Sequence, residues 1–231
     1  MKIKYFALFF LFFILIFFSC LSREENVFIP VPDEKYFVHD DAIGININDI
    51  IQTKDGGLSM PDWLSVIING GIEAAENSYR FNGKYVFIVK NEGDNFTALS
   101  RWAESYSSAL DFPMLAAARI ERRMIKSASL YPDDEYGRFF EKLVKGSYNA
   151  DYPGAIKEEI YWIKMKTGND AGELPINPAD ENYVFLILLS IDRLLLQDIV
   201  NDLIEQASES AATRAQTAAI NNLKQNFFSG F

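Results

Sequence analysis

The chain has 231 residues, a formal net charge of −10, one Cys, one His and nineteen Phe. One Cys excludes an internal disulfide, and one Cys with one His excludes a zinc site built on those ligands. An acidic chain with a pI near 4.7 lacks the basic face of a general nucleic-acid binder, and 49% apolar residues with 23% charged ones describe a globular protein rather than a disordered one.

The apolar residues are concentrated at the start. Lys2 and Lys4 open the chain, and Tyr5 to Phe18 follows without a charged residue. Phe6, Phe9, Phe10, Phe12, Phe13, Phe17 and Phe18 lie there, then Ser19 and Cys20, then Arg23, Glu24 and Glu25. A basic start, an apolar core and a small residue at the cut are the parts of a secretory signal. The stretch Phe17-Phe18-Ser19-Cys20 resembles a bacterial lipobox, with Phe17 where Leu is usual, as in the relaxed lipoboxes of spirochaetal lipoproteins. The resemblance implies diacylglycerylation of the Cys20 thiol, cleavage between Ser19 and Cys20, and acylation of the new amine. Stable anchoring takes at least two hydrophobic signals, at about 0.8 kcal/mol per buried CH₂, and a triacylated Cys supplies them. Three other readings stand beside it: an uncleaved anchor over 5–22, an ordinary cleaved signal, and a buried structural thiol. Removing 1–19 takes two lysines, leaving 20 cationic side chains against 32 acidic ones and a net charge of −12. Such a chain is repelled by anionic headgroups, so the lipid has to hold it to the membrane.

Residues 20–57 read as a tether, broken by Pro30, Pro32 and several acids and closed by Gly56-Gly57, with Val27 to Val31 as a candidate edge strand. An α+β domain is expected over 58–207. Ser59-Met60-Pro61-Asp62 reads as a cap with a first-turn proline ahead of Trp63, Leu64, Ile67 and Ile68, and Gly70-Gly71 weakens the helix. Lys84 to Lys90 is β-rich. Asp94 or Asn95 caps a helix from Phe96 to Leu110, and Asp111 and Pro113 restart one through Ile125. Pro132-Asp133-Asp134-Glu135 starts a third helix, with acids where the helix dipole favours them.

Ile156 to Lys166 and Tyr183 to Ile191 read as two further strands. The second has one polar break, Ser190, and both its odd and even positions are apolar. A half-solvated strand alternates, so this one is expected to be central and covered on both faces, by helices on both sides or by helices and a second protomer. Leu195, Ile199, Leu203 and Ala207 form a helical stripe that thins to alanine in a tail over 208–231, ending in Phe227, Phe228 and Phe231. Those terminal rings dock on another protomer, dip into a membrane interface or pack back. The expected fold is therefore a small, mostly antiparallel three-stranded sheet packed with several α-helices, plus a long C-terminal helix.

Few motifs carry chemistry. No phosphate loop or Gly-x-Ser-x-Gly elbow follows a strand, and His39 falls in the tether, away from any rigid triad. Asp133-Asp134-Glu135 with Gly137 fails the calcium-loop spacing and reads as a capped helix start. Arg119, Arg122, Arg123 and Lys126 share a helical side, as an anion or headgroup patch or as partners of Glu104, Asp111 or acids on neighbouring helices. Trp63, Trp102, Trp162, Tyr106, Tyr161 and Tyr183 sit at core spacings.

The order of Lys84-Tyr-Val-Phe-Ile-Val89, Ala116-Ala117-Ala118-Arg119-Ile120 and Tyr183-Val-Phe-Leu-Ile-Leu-Leu188 resembles small bacterial outer-membrane lipoproteins, flagellum-associated ones among them, with a dodecin-like β-α-β-β core. The segment 130–154 is an inserted helix relative to that pattern. More closely, the chain is similar to spirochaetal lipoproteins. The resemblance carries over one functional residue, Cys20. Cys20, the two-sided apolar strand and the absence of a catalytic set lead to the expectation of a non-enzymatic lipoprotein held by its lipid to the cell membrane or outer membrane, without cofactor, metal or nucleic acid, with an envelope protein partner and a homo-oligomer as the contacts open to it. Two other classes remain open: a module binding a lipid, peptide or cell-wall fragment, and an enzyme with paired carboxylates across a cleft.

Overall fold

The structure, a computed structural model, describes residues 43–128, 134–166 and 181–209 and positions 217, 218, 220, 221, 224 and 228, without the side chains of 126–128, 134–136 and 138. The signal, Ser19, Cys20, the Val27–Val31 strand, His39, Asp133 and the linker 167–180 therefore lie outside the described residues. Among the described residues, four strands and five α-helices follow in order: β1 (Ile50–Thr53), α1 (Asp62–Glu76), β2 (Lys84–Gly93), α2 (Phe96–Ser105), α3 (Ser108–Ala128), α4 (Asp134–Asn149), β3 (Ile156–Lys166), β4 (Glu181–Asp192) and α5 (Arg193–Ser208). All strand pairs are antiparallel, in the order β1-β3-β4-β2. The α+β class stands, and the sheet has a fourth strand. The extra strand comes from the segment read as tether: Ile43, Ile45 and Ile50 are buried in the core. Four residues with two polar side chains gave the sequence too little pattern to show it.

β4 is central, with β3 on one side and β2 on the other. Its odd residues Phe185, Ile187, Leu189 and Ile191 pack with Tyr85, Phe87 and Val89 against α2, α3, α4 and α5. Its even residues Val184, Leu186 and Leu188 pack with Val86 and Ile88 against Trp63, Leu64, Ile67, Ile72 and Ala75 of α1. The two-sided apolar pattern is thus met by helices of the same chain, and a second protomer is not needed to cover it.

The local reasons are plain. Asn95 caps α2, its side chain accepting from Ala98 N at 3.0 Å. Asp111 reaches back to the Ser107 N–H at 2.7 Å, so α3 starts at Ser108 and carries Pro113 inside its early turns, rather than starting at the proline. Pro61, not Ser59, stands at the N-cap of α1, and the Ser59 carbonyl accepts from Thr53 Oγ1 at 2.5 Å and Tyr161 Oη at 3.0 Å. Gly71, at φ 75° and ψ −177°, breaks α1 where the Gly-Gly pair weakened it. The buried side of α5 is Leu196, Val200, Leu203, Ile204 and Ala207, one step round from the expected stripe. The tail contributes too: Ile220 is buried, Phe228 packs against the same core, and Lys224 pairs with Glu205 at 3.3 Å. Phe228 therefore packs back, while Phe227 and Phe231 lie outside the described residues.

Candidate functional site

Two polar constellations interrupt the apolar layers, and both sit near the end of the sheet marked by Lys84, Ile156 and Asp192. The first closes the free edge of β2. Arg119 of α3 and Glu76 of α1 are 5% and 4% exposed. They pair through Arg119 Nη1–Glu76 Oε1 at 2.9 Å and Nη2–Oε2 at 3.3 Å. The same two groups take up the outward backbone of Val86: its N–H donates to Glu76 Oε1 at 2.8 Å, and its carbonyl accepts from Arg119 Nη1 at 3.2 Å. The guanidinium lies 5.1 Å from the ring centroids of both Tyr85 and Phe87. A planar donor fork on a buried strand edge uses the geometry that arginine offers and lysine does not. The helices on opposite faces of the sheet are thus joined across its edge, where an unpaired strand would otherwise offer hydrogen bonds.

The second constellation is built by a bulge in β3. Lys157 pairs with Leu189 and Glu159 with Leu188, so Glu158 is the extra residue. Lys157 goes to the α2 side, where Nζ reaches the carbonyls of Ala103, Glu104 and Tyr106 at 3.4, 3.3 and 2.7 Å and caps the end of that helix. The two glutamates go to the α1 side. Glu158 Oε1 accepts from Lys84 Nζ at 2.7 Å and from Ser190 Oγ at 2.5 Å. Glu159 Oε2 accepts from Trp63 Nε1 at 3.0 Å and Arg80 Nη2 at 3.2 Å. Burial raises the Glu158 pKa. The hydrogen bonds from Lys84 and Ser190 and the charges of Lys84 and Arg80 more than reverse this, so the carboxyl is held below the usual carboxylate range.

The chemistry of this group follows. Ser190 is fully buried and gives its proton to a carboxylate that is ionised and weakly basic, so it is not an activated nucleophile. Glu158 has no proton to donate near neutrality, and Glu158 and Glu159 are each ion-paired rather than facing one another across a cleft. Among the described residues no group of three or more His, Cys, Asp or Glu side chains could hold a metal ion. Among them too, no helix is long and apolar enough to cross a membrane.

Of the residues singled out in the sequence, the structure places two in the polar constellations: Arg119, whose partner is an acid on a neighbouring helix, and Trp63, whose indole N–H donates to Glu159. Arg122 and Arg123 are half-buried on the same helix, and Arg122 Nε reaches the Ala118 carbonyl at 3.5 Å. Trp63 and Tyr161 are core residues, and Trp102, Trp162, Tyr106 and Tyr183 are half-buried against it. Glu76, Lys84, Glu158 and Ser190 were not singled out. Their signals were present: a glutamate ending an apolar helix, the single polar break of β4, and paired glutamates inside a strand. No protein-family model, curated protein or solved structure matches the chain.

Proposed function

We infer that this protein is a lipoprotein of the cell envelope, anchored through Cys20 to the cell membrane or outer membrane and acting by protein contact rather than catalysis. The observation that carries this is Phe17-Phe18-Ser19-Cys20 at the end of a basic-then-apolar start. The domain behind it is consistent with such a role. Its buried charges, Glu76 and Arg119, and the Glu158–Lys84–Ser190 group are engaged in joining helices and strands. A lipid anchor also answers the charge problem, because a domain at −12 does not adhere to anionic headgroups by itself.

Metabolic labelling with a palmitate analogue tests the anchor. Wild type takes up label and partitions with membranes, whereas Cys20→Ser stays unlabelled and at precursor mass. Equal processing and sorting of Cys20→Ser and wild type would overturn the reading.

A further inference from the structure

The Arg119–Glu76 pair closes the edge of β2 at Val86 and no further. β2 pairs with β4 residue for residue from Lys84 to Gly93, so its backbone groups turn alternately toward β4 and away from it. Val86 turns away, since its N–H goes to Glu76 and its carbonyl to Arg119. Lys84 and Glu92 fit the same alternation: the Lys84 carbonyl accepts from Arg193 Nη2 at 3.5 Å, and the Glu92 N–H donates to Asn91 Oδ1 at 2.9 Å. Ile88 and Lys90 lie between them and turn away as well. Among the described residues no hydrogen bond reaches the outward N–H or carbonyl of either. Ile88 is nevertheless only 2% exposed, so water does not serve in place of a partner. A buried backbone group is almost always paired, because leaving it dry and unpaired costs as much as a lost hydrogen bond. This stretch of edge therefore calls for an occupant.

The chain itself leads to the place. Ile43 and Ile45 are buried in the layer that holds Val86 and Ile88, and a Cβ at Gly44 would stand 3.9 Å from Lys90 Nζ. The described residues thus begin beside the open part of β2. The chain divides into two compact units, Met1–Val31 and Pro32–Phe231, so the unit that holds the domain starts eleven positions before Ile43. Within those positions Lys35-Tyr36-Phe37-Val38-His39 places three strand-favouring residues in a row, between Pro32-Asp33 and Asp40-Asp41. Ile88 is covered in a single chain, which favours an occupant from that chain over a strand added by a second copy or by another protein.

We propose that residues 35–39 lie along β2 as a further strand and take up the outward backbone groups of Ile88 and Lys90. The free edge, which would otherwise invite pairing with other chains, is then closed by side chains at Val86 and by main chain beyond it. On the reading of the chain as anchored at Cys20, on which this consequence alone rests, the strand also sets the spacer. The spacer is residues 21–34 with the strand in place and 21–42 without it, at most about 50 Å against about 80 Å of extended chain.

Amide hydrogen exchange with residue-level fragmentation, on the full chain purified from its native cells, tests this. The expected result is protection of the Ile88 and Lys90 amides that does not change on dilution, with protected amides at alternate positions of 35–39. Neighbouring residues of a strand donate to opposite sides, so either Phe37→Pro or Val38→Pro removes a donor to β2. One of the two variants should speed exchange at Ile88 and Lys90 about tenfold or more. Val86, held by Glu76, and Phe87 and Val89, which turn toward β4, should exchange as in wild type. Free exchange at Ile88 and Lys90 in wild type, protection lost on dilution, no alternate protection over 35–39, or indifference to both prolines would overturn the proposal. A proline that unfolds the domain speeds Val86, Phe87 and Val89 as well, and the wild-type pattern over 35–39 then decides alone. The exchange pattern does not depend on the lipid: its failure sinks the strand and leaves the anchor standing, and an unmodified Cys20 does the reverse.

Discussion

Arg119 and Glu76 show how much one pair of side chains can organise. Each is buried, each has the other as its counter-charge, and together they occupy both backbone groups of Val86. Breaking a buried pair by removing one partner costs about 3–5 kcal/mol, because a charge is left without compensation. We expect Arg119→Met and Glu76→Gln each to lower the unfolding free energy by about that much in urea titration. The double variant should fall well short of the sum of the two. Additive losses would show that the pair is not coupled. Glu158 gives a second test. Its folded carboxyl lies below the ordinary value near 4.3, so the unfolded chain takes up the proton first as pH falls. The contribution of its bonds to Lys84 and Ser190 is therefore full above that value and is lost as pH drops through the folded one. Glu158→Gln should be less stable than wild type at pH 7, and the gap should narrow below about pH 4. A gap that widens on acidification would contradict the assignment.

Among the elements, α1 has the clearest weak point. Gly71 adopts φ 75° and ψ −177° inside the helix, a region that only glycine occupies without strain. Gly71→Ala should cost about 1–3 kcal/mol in thermal or urea unfolding, and a neutral result would mean that the break in α1 is dispensable. The elements were legible in proportion to their periodicity. Ile156–Lys166 was read with both ends, and the two-sided burial of β4 followed from its lack of alternation. The charge-bounded run from Lys84 to Lys90 gives the first residue of β2 and stops short of Asn91, Glu92 and Gly93, which pair with Phe185, Val184 and Tyr183. Phe96 to Leu110 was read as one helix, and the structure breaks it after Ser105, where Lys157 takes the last carbonyls and Asp111 begins the next helix. That break is set by a lysine more than fifty residues away, which no local window contains. The two polar constellations were illegible for the same reason. Glu76 and Arg119 are separated by 43 positions and Lys84 and Glu158 by 74, so each glutamate stands out in its own segment while its partner lies outside it.

For the molecule as a whole, helices of the same chain cover both faces of the sheet, and the buried charges join those helices to the strands. On the proposed reading the single cysteine joins the domain to a membrane, and a net charge of −12 after cleavage is a reason for that anchor to be covalent. Mass spectrometry of the mature N-terminus, on protein extracted from its native membrane, tests this most directly. A chain beginning at Cys20, with a diacylglycerol on the thiol and an acyl group on the amine, is the expected result. A chain that begins at Met1, or at any other residue, with an unmodified Cys20 thiol would contradict it.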